Sequence, residues 1–377
     1  MRSRSSALPQ LCTSSPSTLR AELRPRYRGG LVTVRFWLLL LAALVGALAY
    51  LDNLVWVFVP VYSALLVLFL AAAWSWWCAR HLRIFRETRE EALGVGQQLV
   101  ERFILENDSG LPIRLVEIRD HSRVPCTRAT RVVSLAPRQV ISWESSRRLS
   151  SRGRYELGPT ELRVADPLGL FPRQLVQASR DTLVVYPALV PIAGRSLPGG
   201  VGCGDVLILL DLRRENHRGD GPDGSLESAM TVAASVAHTA ASQGRSVALA
   251  TSDRHLSRIP SGRGTLQERN LMDYLATASA DGKVAFSDLV RREMGAWHGR
   301  GGVVLITPDR GSEWVEEAAA GSRPGQRALA IFLDPAGLSA RVRSRVPARW
   351  QLALDLWVVQ HGDDLGRLDT RHGRAVI

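Results

Sequence analysis

Two uncharged apolar runs near the N-terminus constrain this chain more than any other feature. The first is Phe36 to Leu51 (FWLLLLAALVGALAYL) and the second is Leu54 to Ala79, with only Asp52 and Asn53 between them. A bilayer core offers no water to backbone N–H and C=O groups, so it is crossed by helices of roughly 17 to 25 apolar residues. The second run meets that length directly. The first reaches it when Leu31 to Val34 join it and Arg35 snorkels toward the interface. The pattern predicts a two-helix transmembrane hairpin over 31–80, with both ends on one side.

Arginines set the side. Arg20, Arg24, Arg26, Arg28 and Arg35 precede the hairpin, Arg80, Arg83, Arg86 and Arg89 follow it, and the turn carries no positive charge. By the positive-inside rule both flanks are cytoplasmic, with Arg35, Arg80 and Arg83 nearest the lipid as topology-setting charges. Trp37 at the start and Trp74, Trp76 and Trp77 at the end predict an aromatic belt at that interface. The expected location is therefore the inner or plasma membrane, multi-pass, with cytoplasmic soluble domains and the lipid bilayer as a partner. Residues 1–30, rich in Ser, Pro and Arg, read as a disordered basic tail. Ala47-Leu48-Ala49 resembles a signal cleavage site, but the leader before it is too long and a second apolar run follows at once.

The formal net charge is +12, and Lys283 is the only lysine. So uniform an arginine bias reads as residue usage, and no basic run is interleaved with aromatics, so no nucleic-acid partner is expected. Cys12, Cys78, Cys126 and Cys203 lie far apart without metal-ligand spacing, which suggests neither a disulfide framework nor a zinc site.

Residues 81–190 read as a β-sandwich-like domain. Short runs rich in Val, Ile, Leu and Thr (Gln97 to Leu105, Ile113 to Ile118, Thr130 to Leu135, Val140 to Trp143, Tyr155 to Val164, Thr182 to Tyr186) are separated by turn residues. Residues 191–204 read as a Gly-rich flexible linker; Gly199, Gly200, Gly202 and Gly204 precede a strand, so they cannot form a dinucleotide loop. Residues 205–377 alternate strands with helices, which predicts an α/β domain: a mostly parallel sheet with helices on both faces. Expected strands are Val206 to Leu210, Ser246 to Thr251, Val303 to Thr307, Ala328 to Leu333 and Leu352 to Val359. Expected helices are Ser225 to Gln243 with Ser225 as N-cap, Thr265 to Ser279, and Glu313 to Ala320.

No P-loop, HExxH or GxSxG motif is present. In an open α/β sheet ligands bind at the carboxyl ends of the strands. Asp211, Thr251, Asp253, Thr307 and Asp309 fall there in sequence, and Thr265 follows Gly262-Arg263-Gly264. Oxygen ligands of this kind suit a hard divalent cation; equally, Asp and Thr cap turns.

Three stretches resemble a bacterial membrane protein family, that of domain of unknown function 58. They are WWCARHLRIFRETREEALGVGQQLVERFILEN, RGRYELGPTELRVADPLGLF (Arg152 to Phe171), and LLDLRRENHRG followed by DGSLESAMTVAASVAHTAASQG. The resemblance runs from about Phe36 to the end and implies a von Willebrand factor A-like last domain. Two departures stand out. Family members carry a central signature segment with a glutamate, REY and GD, then an arginine-rich tract, where this chain has only a short stretch between Pro191 and Asp205. The A-like fold's metal motif is DxSxS with a distant Thr and Asp. Asp211, Thr265 and Asp309 are the matching candidates, but Arg213 and Glu215 replace the serines, and an arginine opposes a cation. No metal or other cofactor is therefore expected. Relatives are often encoded beside MoxR-type AAA+ ATPases and transglutaminase-like membrane proteins, so the resemblance implies an accessory role in assembling or activating other proteins at the membrane. With the anchor, the absent catalytic motifs and the A-like domain, the expectation is a non-enzymatic membrane-anchored scaffold that docks a cytoplasmic partner such as a MoxR-type ATPase. The alternatives are a metal-assisted hydrolase using Asp211, Asp253 and Asp309, and a degenerate copy without function.

Overall fold

The computed structural model describes residues 23–25, 40, 43–44, 46–47, 55–88, 92–124, 130–177, 181–192, 197–198, 204–219, 221, 224–297, 301–322, 328–334 and 354–360. Trp37, Arg35 and the Asp52-Asn53 turn lie outside these residues, as do Gly199, Gly200 and Gly202.

Helix α1 (Val55–His81) is 27 residues long, about 40 Å. Its stretch Phe58–His81 is, among the described residues, the one helix long and apolar enough to cross a membrane. Little of it is buried within the protein; Val59, Tyr62, Leu66, Phe69 and Leu70 face outward. Its last turns change character. Cys78 is buried and Trp74 and Ala79 pack beside it on the β region, while Trp76 and Trp77 stay exposed. Of the tryptophans expected in one belt, Trp74 thus contacts protein. The Arg80 guanidinium lies 4.0 Å over the Trp76 ring, and Arg83 pairs with Asp108 at 3.2 Å.

The helix passes without a linker into β2 (Leu82–Thr88). The β region then holds β3 (Ala92–Gly94), β4 (Gln98–Asn107), β5 (Ile113–Asp120), β6 (Thr130–Leu135), β7 (Val140–Arg148), β8 (Gly153–Leu157), β9 (Thr160–Val164), β10 (Arg173–Gln177) and β11 (Asp181–Tyr186). They form sheets in the orders β2-β4-β7, β3-β11-β8 and β1-β10-β9-β5-β6, where β1 is Leu23–Pro25. The inward face of β4 alternates strictly, and Phe103 and Leu105 meet Ile113, Ile118, Leu162 and Leu175 of the five-stranded sheet. The single run expected from Tyr155 to Val164 is two strands. Gly158 (φ 90°) and Pro159 break it, and β8 and β9 join different sheets.

Charge is buried in this core. Arg86, Glu101, Asp120 and Arg147 have side-chain exposures of 3, 0, 3 and 7%. Arg86 Nε donates to Glu101 Oε1 at 3.1 Å, and its Nη1 donates to Ser122 Oγ at 3.0 Å and lies 3.4 Å from Asp120 Oδ1. Arg147 Nη2 lies 2.5 Å from Asp120 Oδ2 and 3.7 Å from Glu101 Oε2. Two cations and two carboxylates close a neutral set. Arg86, expected as a charge flanking the membrane, is instead part of this core.

The second region comprises β12 (Val206–Leu210), α2 (Ser225–Ser242), β13 (Val247–Thr251), β14 (Arg258–Gly262), α3 (Thr265–Thr277), α4 (Phe286–Ala296), β15 (Gly302–Thr307), α5 (Glu313–Gly321), β16 (Ala328–Asp334) and β17 (Leu354–Gln360). One sheet runs β14-β13-β12-β15-β16-β17, every pair parallel except β13 with β14. β12, VLILL, is buried at every position because both faces are covered. Its even residues pack with Met230, Ala233 and Leu271 of α2 and α3, and its odd residues with Phe286, Val290 and Trp314 of α4 and α5. Helix α4 and edge strand β14 are not among the expected elements. Ser225, the expected N-cap, is the first helical residue, and Gly224 holds the cap position. In the stretch expected as a linker, Ile192 and Leu197 are buried in the sheet's core and Arg245 Nη2 donates to the Pro198 carbonyl at 2.5 Å.

Candidate functional site

The apolar strands admit no polar side chain until they end. Since β12, β13 and β15 are parallel and in register (Leu210 opposite Thr251 and Ile306), Asp211, Ser252 and Thr307 meet at one edge, while the Thr251 hydroxyl turns to Tyr274 Oη at 2.8 Å. The connections leave β12 for β13 on one side and β15 on the other, so this edge is the switch point where such sheets hold ligands.

Asp211 is its centre and is fully buried. Its Oδ1 accepts from the Arg213 backbone N–H (3.0 Å) and Ser252 Oγ (3.0 Å); its Oδ2 accepts from Asn216 Nδ2 (2.8 Å) and Thr307 Oγ1 (2.7 Å). A carboxylate has about four acceptor positions, and all are filled. His217 braces the other side. Its Nε2 donates to the Asp211 carbonyl (2.8 Å), which leaves Nδ1 to accept from Ser225 Oγ (3.2 Å). Burial and the nearby Arg152 charge lower the imidazole's pKa against the pull of Asp211, consistent with this neutral tautomer. Gly282 locks the neighbouring loops: its N–H donates to the Leu212 carbonyl at 3.0 Å, and a Cβ there would meet the Ser252 carbonyl oxygen at 1.8 Å.

Asp309 sits nearby but bonds elsewhere, its Oδ1 accepting from the Gly311 N–H at 2.9 Å. Burial raises its carboxyl pKa, and the Asp211 charge adds to this, outweighing the opposing pull of the Gly311 N–H and, more weakly, of Arg213. A raised carboxyl favours the folded state at low pH and loses that contribution as pH rises through the folded value. Asp309→Asn is therefore expected to raise Tm at neutral pH, with the gain shrinking in acid, as a pH series of thermal melts would show.

Thr265 does not join them. β14 runs antiparallel from the strand ends back to Val247, and Thr265 follows it, exposed, at the opposite end of the sheet. The length of β13, about 16 Å, separates it from Asp211. Asp253 turns away as well, accepting from the Ser257 N–H (2.8 Å) and Tyr274 Oη (2.9 Å). The three ligand candidates and the three carboxylates of a hydrolase are thus not convergent, and no cluster of three or more His, Cys, Asp or Glu suited to a metal exists among the described residues. A divalent ion at Asp211 would have to displace donors already in place. Ser252, Asn216 and His217, which complete the site, were not among the candidates.

Around this closed centre lies a charged rim. Arg214, Arg218, Arg254 and Lys283 are exposed and Arg310 half-buried, with Glu215 and Asp281 among them. One arginine reaches the site from the β region. The Arg152 side chain is 6% exposed, pairs with Glu227 of α2, and donates from Nη2 to the Ala278 carbonyl at 2.8 Å. Arg152→Ala strips both contacts and is expected to cost about 2 kcal/mol, measured by denaturant unfolding of the full chain.

No family model matches the chain, and no curated protein sequence does. Solved structures similar over part of it include the CARDB domain of the PF1109 protein from Pyrococcus furiosus (14% identity, 28% of this chain, 86% of that one, TM-score 0.22). The C-terminal domain of wzt (10% identity, 29% and 75%, TM-score 0.24) and Spo0M, the sporulation control protein of Bacillus subtilis (11% identity, 28% and 49%, TM-score 0.19), are others. At these scores neither fold nor activity is transferred.

Proposed function

We propose that this chain is a membrane-anchored docking module, related to the bacterial family of domain of unknown function 58, whose von Willebrand A-like α/β region binds a cytoplasmic protein at its strand ends. The observation that carries this reading is the saturated Asp211 beneath a charged, exposed rim: the switch-point edge has its polar core satisfied internally and offers its periphery. The anchor is read as a hairpin, because the helical residue Gly46 faces α1 closely enough that a Cβ would meet Val61 Cγ1 at 3.9 Å. Arg80, exposed at the end of α1, favours a cytoplasmic face. A MoxR-type AAA+ ATPase is the partner class the sequence resemblance names.

A photo-crosslinking residue placed at Arg214 in native membranes tests this, with one at Leu266, at the far end of the sheet, as control. Adduct formation with an AAA+ ATPase from position 214 only, lost when Arg218 and Arg310 are reversed to glutamate, is the expected result. No adduct at 214, or equal yields at both positions, would count against it.

A further inference from the structure

We propose that the turn Asp166 to Phe171 is a second membrane contact, seated in the interfacial layer beside α1; this rests on the reading that α1 spans a bilayer. The segment reads DPLGLF, five consecutive uncharged residues after one aspartate. Asp166, Pro167 and Gly169 occupy the positions a tight turn favours, with the Gly169 N–H on the Asp166 carbonyl at 2.9 Å and Gly169 at φ 69°. The Asp166 carboxylate is buried and accepts from the N–H groups of Leu168 (3.0 Å), Leu170 (3.3 Å) and Phe171 (2.5 Å). The turn is therefore built to hold its tip outward, and that tip is leucine: Leu168 is 60% exposed and Leu170 36%.

Isolated exposed leucines are ordinary. The position of these two is not. Ser75 of α1, itself fully buried, donates its hydroxyl to the Phe171 carbonyl. This pins the turn to the helix less than two turns before His81, about 9 Å along the axis. Roughly 20 residues cross the hydrocarbon, so the apolar stretch that begins at Phe58 leaves it near Trp77. Ser75 then lies at the boundary between hydrocarbon and headgroups, level with exposed Trp76 and Trp77. Leu168 and Leu170 are presented at that depth, where their apolar surface leaves water and the β region gains a second fixed point against the bilayer.

Spin labels on the full chain in lipid vesicles test this, with Cys12, Cys126 and Cys203 replaced by serine and buried Cys78 retained. Labels at Leu168→Cys, Val67→Cys on α1 and Leu266→Cys on α3 are compared for collision with oxygen, which concentrates in lipid, and with a water-soluble nickel chelate. The ratio of oxygen to nickel collisions is expected to be high at 67, low at 266, and raised at 168 toward the value at 67. A ratio at 168 equal to that at 266, or a label shielded from both reagents, overturns the proposal while a lipid-exposed 67 leaves the anchor standing. A water-exposed 67 overturns both.

Discussion

Replacing Glu101 with alanine is expected to destabilise the β region by about 3 to 5 kcal/mol, because it leaves two buried arginines facing one carboxylate. Water cannot compensate, since Arg86 and Arg147 are nearly inaccessible. Denaturant unfolding of the full chain in detergent measures the loss, and Glu101→Gln, which keeps shape and one acceptor, is expected to lose less. The same set makes the protein acid-labile. Burial alone would raise the Asp120 carboxyl, but Arg86, Ser122 and Arg147 outweigh it and hold the pKa below its ordinary value. A depressed carboxyl stabilises above its unfolded pKa and loses that contribution as pH falls through the folded value. The denaturation midpoint is therefore expected to drop below about pH 4, and Asp120→Asn to flatten that part of the profile. An unchanged profile would mean the pair adds nothing over its solvated state.

The second large effect is at Asp211. Asp211→Ala deprives Ser252, Thr307, Asn216 and the Arg213 N–H of their acceptor at a fully buried position, and is expected to cost on the order of 3 kcal/mol. Asp211→Asn brings an amide against the Asn216 amide, donor to donor. Adding Asn216→Asp reverses that contact, so a double-mutant cycle is expected to show the second change restoring part of what the first removes. A structural carboxylate gives that rescue. A ligand held for an ion does not, because the swap moves the charge away from the centre.

How much of this was legible depends on the range over which each feature is decided. VLILL and GVVLIT announce fully covered strands locally, and the alternation along Gln98–Asn107 announces a half-buried one. Asp211, Thr307 and Asp309 were legible as first polar residues beyond such strands. Ser252 and Asn216 were not, since their role follows from register between strands and from the path of a loop. Helix α4 hides although Phe286, Leu289, Val290 and Met294 share one face at helical spacing with Arg291 and Arg292 exposed off it; the helix is short, 11 residues, and the charged Glu293 sits on its buried stripe. β14 hides because RIPSG is a polar edge strand containing proline. That omission explains Thr265: without a reversed strand, the loop before it is counted at the wrong end of the sheet. The division of Tyr155 to Val164 between two sheets is likewise decided by partners, β11 for one half and β5 and β10 for the other.

Whether Asp211 is a satisfied structural carboxylate or an open ligand decides between a docking face and a metal centre. Thermal unfolding of the full chain with saturating Mg²⁺ and with a chelator measures this directly, because an ion that binds only the folded state must raise Tm. The melts are expected to coincide, in wild type and Asp211→Asn alike. A cation-dependent rise in Tm that Asp211→Asn abolishes would contradict the reading and return the strand ends to metal chemistry.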